Sequence, residues 1–209
     1  MELFAANPAE NLLPHDGAAH YFGPILPAVE ASRFFELLMQ TIPWERDEVV
    51  LFGKHIITAR KVAWFADSDI TYTYSGTTKH ARQWTPELSA LKSAVESRAG
   101  VPFNSCLLNL YHSGSEGMGW HSDDEHSLVA QSAIGSMSFG AERKFCFKHK
   151  RSAQGVSVVL EHGSLLVMQG TTQSHWLHCV PKSKRVTAPR INLTFRCMRP
   201  ANPPPPARP

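Results

Sequence analysis

The sequence lacks the long apolar segments that mark membrane proteins and secreted precursors. Among its 209 residues, no run approaches the roughly 18 consecutive apolar residues of a membrane span. The start of the chain, MELFAANPAENLLPHDG, has no basic segment followed by an apolar core, so we expect no secretory signal. A membrane partner is therefore not predicted, and the composition is that of a globular protein.

Cysteine is scarce, and its spacing excludes two classes of small domain. The four cysteines are Cys106, Cys146, Cys179 and Cys197, and no two of them form a C-x-x-C pair. Neither a zinc ribbon nor a disulfide scaffold is predicted. We expect reduced, mostly buried thiols in a reducing compartment.

Basic residues are few in the first two thirds of the chain and abundant afterwards. Residues 1–139 carry 9 Lys and Arg against 16 Asp and Glu, whereas residues 140–199 carry 11 against 2. The balances are therefore −7 and +9. A basic half suits a polyanionic partner such as nucleic acid. Charge alone fits equally well a basic surface that only keeps the protein in solution.

Proline and hydrophobic periodicity divide the chain. Residues 1–28 are broken by prolines and are predicted to be irregular. Residues 29–40 have the apolar spacing of an amphipathic helix, and a second helix is predicted from an N-cap at Thr85 to a stop before Gly100. We expect one domain over residues 29–199 and a disordered, proline-rich tail over residues 200–209.

After residue 100 the apolar period changes to two, which is typical of strands. The predicted strands are residues 103–112, 133–140, 143–150, 155–162, 163–170 and 190–198. Many short strands after a helical start predict a mainly β fold with flanking helices (α+β). The core is then a sandwich or jelly roll (a double-stranded β-helix) over residues 101–199, with helices and hairpins from residues 29–100.

The last predicted strand alternates between polar and apolar side chains, so each kind occupies one face. Its polar residues are Arg190, Asn192, Thr194 and Arg196. By itself this pattern fits a half-exposed strand with its polar face in water. Two arginines on one face also suit an anion held at two points, since guanidinium matches carboxylate geometry. Asn109 and Tyr111 share a face in the same way and suit the oxygens of a small dicarboxylate.

The segment GWHSDDEH contains the pair His121 and Asp123, which face the same side of an extended chain. With one more histidine they would form a 2-His-1-carboxylate facial triad, the usual site of non-haem Fe(II). The third ligand would be His175 or His178, and spacing alone does not choose between them. A lone H-x-D pair is more often structural.

Taken together, these motifs resemble the AlkB family, the Fe(II)- and 2-oxoglutarate-dependent dioxygenases that repair alkylated nucleobases. The set is N-x-Y (109–111), H-x-D (121–123), a later histidine and R-x-N-x-T-x-R (190–196). The resemblance extends from about Leu51 to Arg196. The stretches LFGK, TYTYSG, MSFGAERKFCFKHK, HGSLLVMQG and APRINLTFR resemble the branch that repairs duplex DNA, and NLLPHDG resembles its bacterial members.

The resemblance implies a role for each motif and selects His178 over His175. The implied Fe(II) ligands, and the catalytic centre, are His121, Asp123 and His178. The implied 2-oxoglutarate contacts are Asn109, Tyr111, Arg190, Asn192, Thr194 and Arg196. Which arginine binds which carboxylate is left open.

The resemblance also implies a nucleotide-recognition lid. Phe52, Gly53 and Lys54 would form a hairpin whose phenylalanine fills the gap left by a flipped base. The alternative for Phe52 is an ordinary core position. Candidate phosphate contacts are Lys54, Arg60, Lys61, Arg143, Lys144, Lys148, Lys150 and Arg151.

Four further residues are expected around the flipped base. Tyr72, Tyr74 and Ser75 would line its pocket, where aromatic rings stack on a cationic methylated base. The duplex-repairing relative has phenylalanine at the position of Tyr74. Asp124 would accept a hydrogen bond from the exocyclic amino group of the base. Glu125 and His126 are expected on the surface, without a role.

The implied reaction is oxidative dealkylation of 1-methyladenine and 3-methylcytosine in DNA, with etheno adducts as further candidates. It consumes Fe(II)-bound 2-oxoglutarate and O2 and releases succinate, CO2 and an aldehyde. The alternatives are an RNA demethylase, a 2-oxoglutarate-dependent hydroxylase of proteins or small molecules, and a non-catalytic binding module. We expect a monomer, in the cytoplasm of a bacterium or in the nucleus of a eukaryote.

Overall fold

The computed structural model describes residues 7–51, 54–67, 71–74 and 77–199 of the chain. Side chains are described outside residues 48–56 and 71–80. The helices are α1 (Ala28–Thr41), α2 (Pro86–Ala99) and the short α3 (Thr172–His175). The predicted tail, residues 200–209, lies outside the described residues.

The strands fall into two larger sheets and one two-stranded ribbon. They are β1 (Ala18–Pro24), β2 (Glu45–Leu51), β3 (Lys54–Ala66), β4 (Thr71–Tyr74), β5 (Thr77–His80), β6 (Ser105–Tyr111), β7 (Met118–His121), β8 (Ile134–Gly140), β9 (Arg143–His149), β10 (Gly155–Leu160), β11 (Ser164–Gln169), β12 (Trp176–Val180) and β13 (Arg190–Arg196). The major sheet has the order β1-β11-β8-β13-β6-β3-β2, and the minor sheet has the order β10-β9-β12-β7. Strands β4 and β5 pair with each other.

All of the strand pairs in the three sheets are antiparallel, and most spatial neighbours are distant in sequence. Two facing antiparallel sheets with such crossovers form a jelly roll. The predicted mainly β fold with flanking helices is confirmed. Strand β13 is hydrogen-bonded to β8 on one side and β6 on the other, so it occupies the centre of the major sheet.

The first strand differs from the sequence-based prediction, which treated residues 1–28 as irregular. Residues 18–24 form β1 and pair with β11, from Ala18 opposite Gln169 to Pro24 opposite Ser164. The register shifts at Gly23, whose φ of 65° is accessible to glycine at little cost. The strand depends on a partner about 150 residues away, so no local periodicity indicates it. Strands β2 and β3 also join the major sheet, which therefore extends beyond residues 101–199.

The two long helices cover one face of the major sheet. Helix α2 begins as predicted, with the Thr85 side chain accepting from the Leu88 amide at 3.3 Å, and ends at Gly100 with a φ of 70°. Buried residues of both helices form a core with the apolar residues of β6, β8 and β13. A second core, which includes Phe145, Phe147 and Trp176, belongs to strands of both sheets. One face of β13 therefore packs against the helices, and its other face is available to form a binding site.

All four cysteines are free thiols. Cys106 and Cys179 are buried, whereas Cys146 and Cys197 are half-buried. Among the described residues, no helix has the length and hydropathy needed to cross a membrane.

We expect Leu193→Ala to lower the free energy of unfolding by about 3 kcal/mol, since it removes a fully buried side chain from the centre of the helix-facing core. Val159→Ala is the control, because Val159 is 50% exposed on β10 and should change stability little. Urea denaturation of both variants measures the difference. Equal stabilities would contradict the assignment of the core.

Candidate active site

Two histidines and one aspartate meet where β7 and β12 pair. His178 and His121 are directly opposite each other in the register, and Asp123 lies two residues beyond the end of β7. One ligand atom from each residue lies within 4.8 Å of those of the other two. The imidazole centroids are 4.2 Å apart. The group resembles the donor set of a facial triad.

Hydrogen bonds orient two members of this group. Nδ1 of His121 lies 2.8 Å from the carbonyl oxygen of Gly119 and donates to it, which leaves the Nε2 lone pair available for a metal. The backbone amide of Asp123 donates to Oε1 of Gln173 at 2.9 Å. Nη2 of Arg196 donates to Oδ1 of Asp123 at 2.7 Å. This hydrogen bond fixes one carboxylate oxygen and thereby orients the other.

Burial and charge set the protonation states of the group. His178 is 4% exposed and stacks on Phe145 with centroids 5.3 Å apart. Burial lowers the pKa of His178 to about 3, although Asp123 opposes the shift. Burial raises the pKa of Asp123, but the Arg196 guanidinium and the two histidines outweigh it, so this pKa lies below its ordinary value. At neutral pH the group therefore offers a neutral His178 and a carboxylate, the forms that bind a metal ion.

A cavity begins at this group and follows the inner face of β6 and β13. Its polar lining includes Asn109, Tyr111, Arg190, Asn192, Thr194 and Arg196, and apolar side chains such as Met118, Phe145 and Met168 complete it. The predicted polar face of β13 is therefore buried inside the jelly roll and is not turned to water. All six predicted 2-oxoglutarate contacts line the same cavity.

Arg190 lies at the end of β13 away from the histidines and aspartate. It is 1% exposed, and its Nη2 donates to Oγ of Ser138 at 2.9 Å and to Oδ1 of Asn192 at 2.6 Å. The guanidinium lies over the Tyr111 ring, 5.4 Å from the centroid. Its Nε and Nη1 atoms, and Oδ1 of Asn109, are buried without a hydrogen-bond partner in the described part of the chain.

The buried charge of Arg190 favours the binding of an anion. Burial lowers the pKa of Arg190 to about 10, but the group stays protonated at neutral pH. A buried cation with two unsatisfied donors is costly unless an anion completes it. Arg196 is engaged at the other end of the strand by Asp123. The geometry therefore fits an anion with one carboxylate at Arg190 and a second polar end near the histidines.

Comparison with known proteins agrees with this geometry. The 2OG-Fe(II) oxygenase superfamily profile matches residues 18–196. DNA oxidative demethylase ALKBH2 of Mus musculus is 41% identical over 182 residues, which cover 82% of this chain and 76% of that protein. The Homo sapiens protein of the same name is 37% identical over 203 residues, covering 92% and 78%. The chain belongs to the AlkB family of 2OG-Fe(II) oxygenases.

A solved structure supports the fold of this AlkB-family chain. The structure of OsALKBH1 superimposes with a TM-score of 0.59 at 16% identity and covers 88% of this chain and 98% of the other. At that identity the match shows a shared fold alone. Placement among bacterial members of the family, which the NLLPHDG motif indicates, stays a prediction.

The chain is an Fe(II)- and 2-oxoglutarate-dependent dioxygenase, and the residues present fit these groups. Two imidazoles and one carboxylate match the preference of Fe(II) for a facial triad. The unsatisfied buried donors of Arg190 match a carboxylate of 2-oxoglutarate.

Some of the basic residues that the sequence predicts as phosphate contacts support this AlkB-family site instead, and Arg143 is the clearest example. Arg143 is 2% exposed, and its Nη2 donates to the carbonyl oxygens of Glu116 and Pro181, each at 2.8 Å. It connects the segments that contain Glu116 and Pro181, next to Tyr111, whose ring centroid lies 5.8 Å from the guanidinium carbon. The alternation of side chains along β9 indicates this burial, because Arg143 lies on the same face as the buried Phe145.

Lys150 and Arg60, two other predicted phosphate contacts, also have partners within the protein. Nζ of Lys150 donates to Oγ of Ser122 at 3.0 Å and to the carbonyl oxygen of Gln173 at 2.8 Å. It thereby holds the segment that carries Asp123. Arg60 pairs with the buried Asp47 and also contacts Met118 of β7. Both cations are occupied by the protein itself.

The acidic residues after Asp123 line a second cavity of about 250 Å³. Asp124 is exposed and lies 3.7 Å from Nζ of Lys150. His126 is exposed, as expected. Glu125 is half-buried rather than on the surface, and burial raises its pKa. Because the HSDDE segment turns inward beside Arg196, charge alone misleads at this position.

The predicted lid residues are partly outside the structure's description. Phe52, Gly53 and Ser75 lie outside the described residues. Lys54 begins β3, and strand β4 contains Tyr72 and Tyr74.

A second cluster has the composition of a metal site but a different role. His15, Asp16 and His149 have ligand atoms within 4.8 Å of one another. Nδ1 of His149 accepts from the Ser152 amide at 3.0 Å, so Nε2 of the neutral ring keeps its proton. That nitrogen lies 3.3 Å from Asp16. The cluster therefore attaches the N-terminal segment to β9, and the ring offers no lone pair to a metal.

We expect the metal-free protein to lose stability as the pH falls from 6.5 to 4.5. The unfolded chain takes up a proton on His178 near its ordinary pKa of 6.5, whereas the folded pKa is about 3. The loss from this one group approaches about 1.4 kcal/mol per pH unit. Asp123 does not contribute in this window, since its folded pKa lies below the ordinary 3.8.

Urea unfolding of wild type, His178→Gln and His126→Gln at several pH values tests this expectation. His178→Gln should show a shallower dependence on pH, and the exposed His126→Gln should follow wild type. Parallel curves for all three proteins would contradict the assignment to His178.

Proposed function

We propose that this protein is an oxidative demethylase of N-alkylated nucleobases in DNA. The observation that carries the proposal is the group of half-buried His121 with buried Asp123 and His178, which lies beside an incomplete anion site in a chain 41% identical to a DNA oxidative demethylase. The +9 balance of residues 140–199 supports a polyanionic substrate. Candidate lesions are 1-methyladenine, 3-methylcytosine and etheno adducts. We infer a monomer in a compartment that holds DNA, the bacterial cytoplasm or the eukaryotic nucleus.

The three residues of the group would hold Fe(II). His121 is oriented for this by its hydrogen bond to Gly119, and Asp123 by Arg196. His178 is neutral and rigidly packed against Phe145. When bound, Fe(II) with 2-oxoglutarate and O2 supplies the oxidising power that hydroxylates the N-alkyl carbon, with succinate, CO2 and an aldehyde as products.

The polar face of β13 would hold 2-oxoglutarate, with each arginine at one end. Arg190 and Tyr111 would bind the carboxylate distal to iron, because Arg190 is the buried cation with unsatisfied donors. Arg196 touches Asp123, which supports a position near the chelating end of the cosubstrate. Asn109, Asn192 and Thr194 complete the wall between them.

The lid and the segment after Asp123 would bind the nucleotide. Phe52, Gly53 and Lys54 would contact the duplex at the connection between β2 and β3, with Phe52 as a wedge. Tyr72, Tyr74 and Ser75 would enclose the flipped base. Asp124 would accept from its exocyclic amino group, and its exposure and carboxylate charge favour a cationic lesion.

The purified protein, supplied with Fe(II) and 2-oxoglutarate, should release formaldehyde from oligonucleotides that contain 1-methyladenine or 3-methylcytosine. His121→Ala should abolish the reaction by removing a metal ligand, whereas His126→Ala, an exposed histidine five residues away, should retain it. Mass spectrometry of duplex DNA, single-stranded DNA and RNA substrates ranks the strand types. Faster repair of RNA would replace the DNA assignment, and no repair of any strand would refute the proposal.

We expect Arg190→Lys to raise the KM for 2-oxoglutarate about 10- to 100-fold with a smaller change in kcat, since the planar two-donor contact to a carboxylate is lost. Arg151→Lys, an exposed substitution of the same kind, should leave the KM unchanged. Succinate formation at varied 2-oxoglutarate measures both constants. A fall in kcat alone would place Arg190 outside cosubstrate binding.

A further inference from the structure

Two cysteines face each other across strands of the minor sheet, outside the site described above. Cys146 of β9 and Cys179 of β12 are directly opposite in the antiparallel register. The two thiols are close enough to interact, and besides burial the Cys146 thiol contributes to raising the pKa of Cys179. The adjacent pair, Phe147 and His178, is also in register and faces the interior. Alternation therefore turns both thiols to the outer face of the sheet.

The register satisfies the geometric requirement of a disulfide. Opposite residues of antiparallel strands have Cα atoms about 4.5 to 5.5 Å apart. Disulfides join cysteines whose Cα atoms are about 4.4 to 6.8 Å apart. The register therefore places Cys146 and Cys179 within the Cα separation that a disulfide requires.

The other two cysteines have different surroundings. Cys106 is fully buried in the core beneath the helices. Cys197 follows β13, and its Sγ donates to the carbonyl oxygen of Pro102 at 3.1 Å. Cys146 is half-buried like Cys197, so a small oxidant can reach it, but it differs from Cys197 in having a second cysteine directly opposite it.

We propose that Cys146 and Cys179 form a site of reversible two-electron oxidation, at which a small-molecule disulfide converts the two thiols into an intramolecular disulfide. The Cys146 sulfur, the more exposed of the two, attacks the oxidant and releases one small thiol. The Cys179 sulfur then displaces the second small thiol and closes the bond. Two protein thiols and one disulfide give one protein disulfide and two small thiols.

The location links this chemistry to the metal centre. Cys179 follows His178 in the chain, and Cys146 lies between Phe145 and Phe147, whose rings contact the His178 imidazole. The disulfide would join β9 and β12 directly behind that imidazole. The inference is independent of the proposed substrate.

Treatment of the full chain with oxidised glutathione, followed by alkylation in denaturant and intact mass measurement, tests the site. Wild type should lose the mass of two hydrogen atoms, and its alkylated thiols should fall from four to two. Peptide mapping should find Cys146 joined to Cys179. A thiol reductant should restore all of the thiols.

Matched serine variants separate this site from general thiol oxidation. Cys179→Ser should trap Cys146 as a stable mixed disulfide with glutathione, whereas Cys197→Ser should form the internal bond as wild type does. Cys146→Ser should lose the reaction. An unreactive wild type, a stable mixed disulfide on wild type or a bond between other cysteines would overturn the proposal.

Thermal unfolding gives a second measurement that needs no variant. The bond would close a loop of about 30 residues in the unfolded chain, so the oxidised protein should melt about 5 °C or more above the reduced protein. A lower melting temperature after oxidation would show that the strands must distort to form the bond, and would overturn it.

Discussion

The constraint on which the rest of the structure depends is the alternation of side chains along β13. A strand whose sheet is covered on both faces cannot turn its polar side chains to water. The apolar face of β13 is buried by the helices, and its polar face is enclosed by the minor sheet. Its neighbours extend both faces, because Asn192 is opposite Asn109 on β6 and Ser138 on β8, and Leu193 is opposite Leu108 and Met137. One alternating heptapeptide therefore stabilises the core and organises the polar wall of the cavity.

Burying charge on that wall has an energetic cost that the protein offsets only in part. Arg196 is compensated by Asp123, whereas Arg190 relies on hydroxyl and amide oxygens and the face of Tyr111. A ligand that completes the second cation binds the folded state alone and stabilises it by mass action. The unsatisfied hydrogen-bond donors of Arg190 in the folded protein thus favour the binding of a dicarboxylate.

Sequence patterns predicted those features that depend on local periodicity. The two long helices, six of the strands after residue 100 and the alternation of β13 follow from spacing, and the AlkB family follows from the motif set. The short strands β7 and β12, which carry His121 and His178, were not predicted. Strand β1 was missed, since its partner is remote in sequence. Spacing alone did not separate His178 from His175, so that choice needed the family pattern. The structure separates them, because His175 ends the short α3 whereas His178 lies within β12. The burial of Arg143 was not predicted, because a basic side chain indicates no direction without strand parity or a fold.

The position of β7 places part of the metal centre at the edge of the minor sheet. This four-residue strand is the last of the minor sheet, with β12 as its one neighbour there, and it carries His121. Edge strands of this length fray at a free energy well below that of global unfolding. An ion held by His121 and His178 would connect β7 to β12 and stabilise the paired edge. Amide hydrogen exchange along β7 should then slow when the site is loaded.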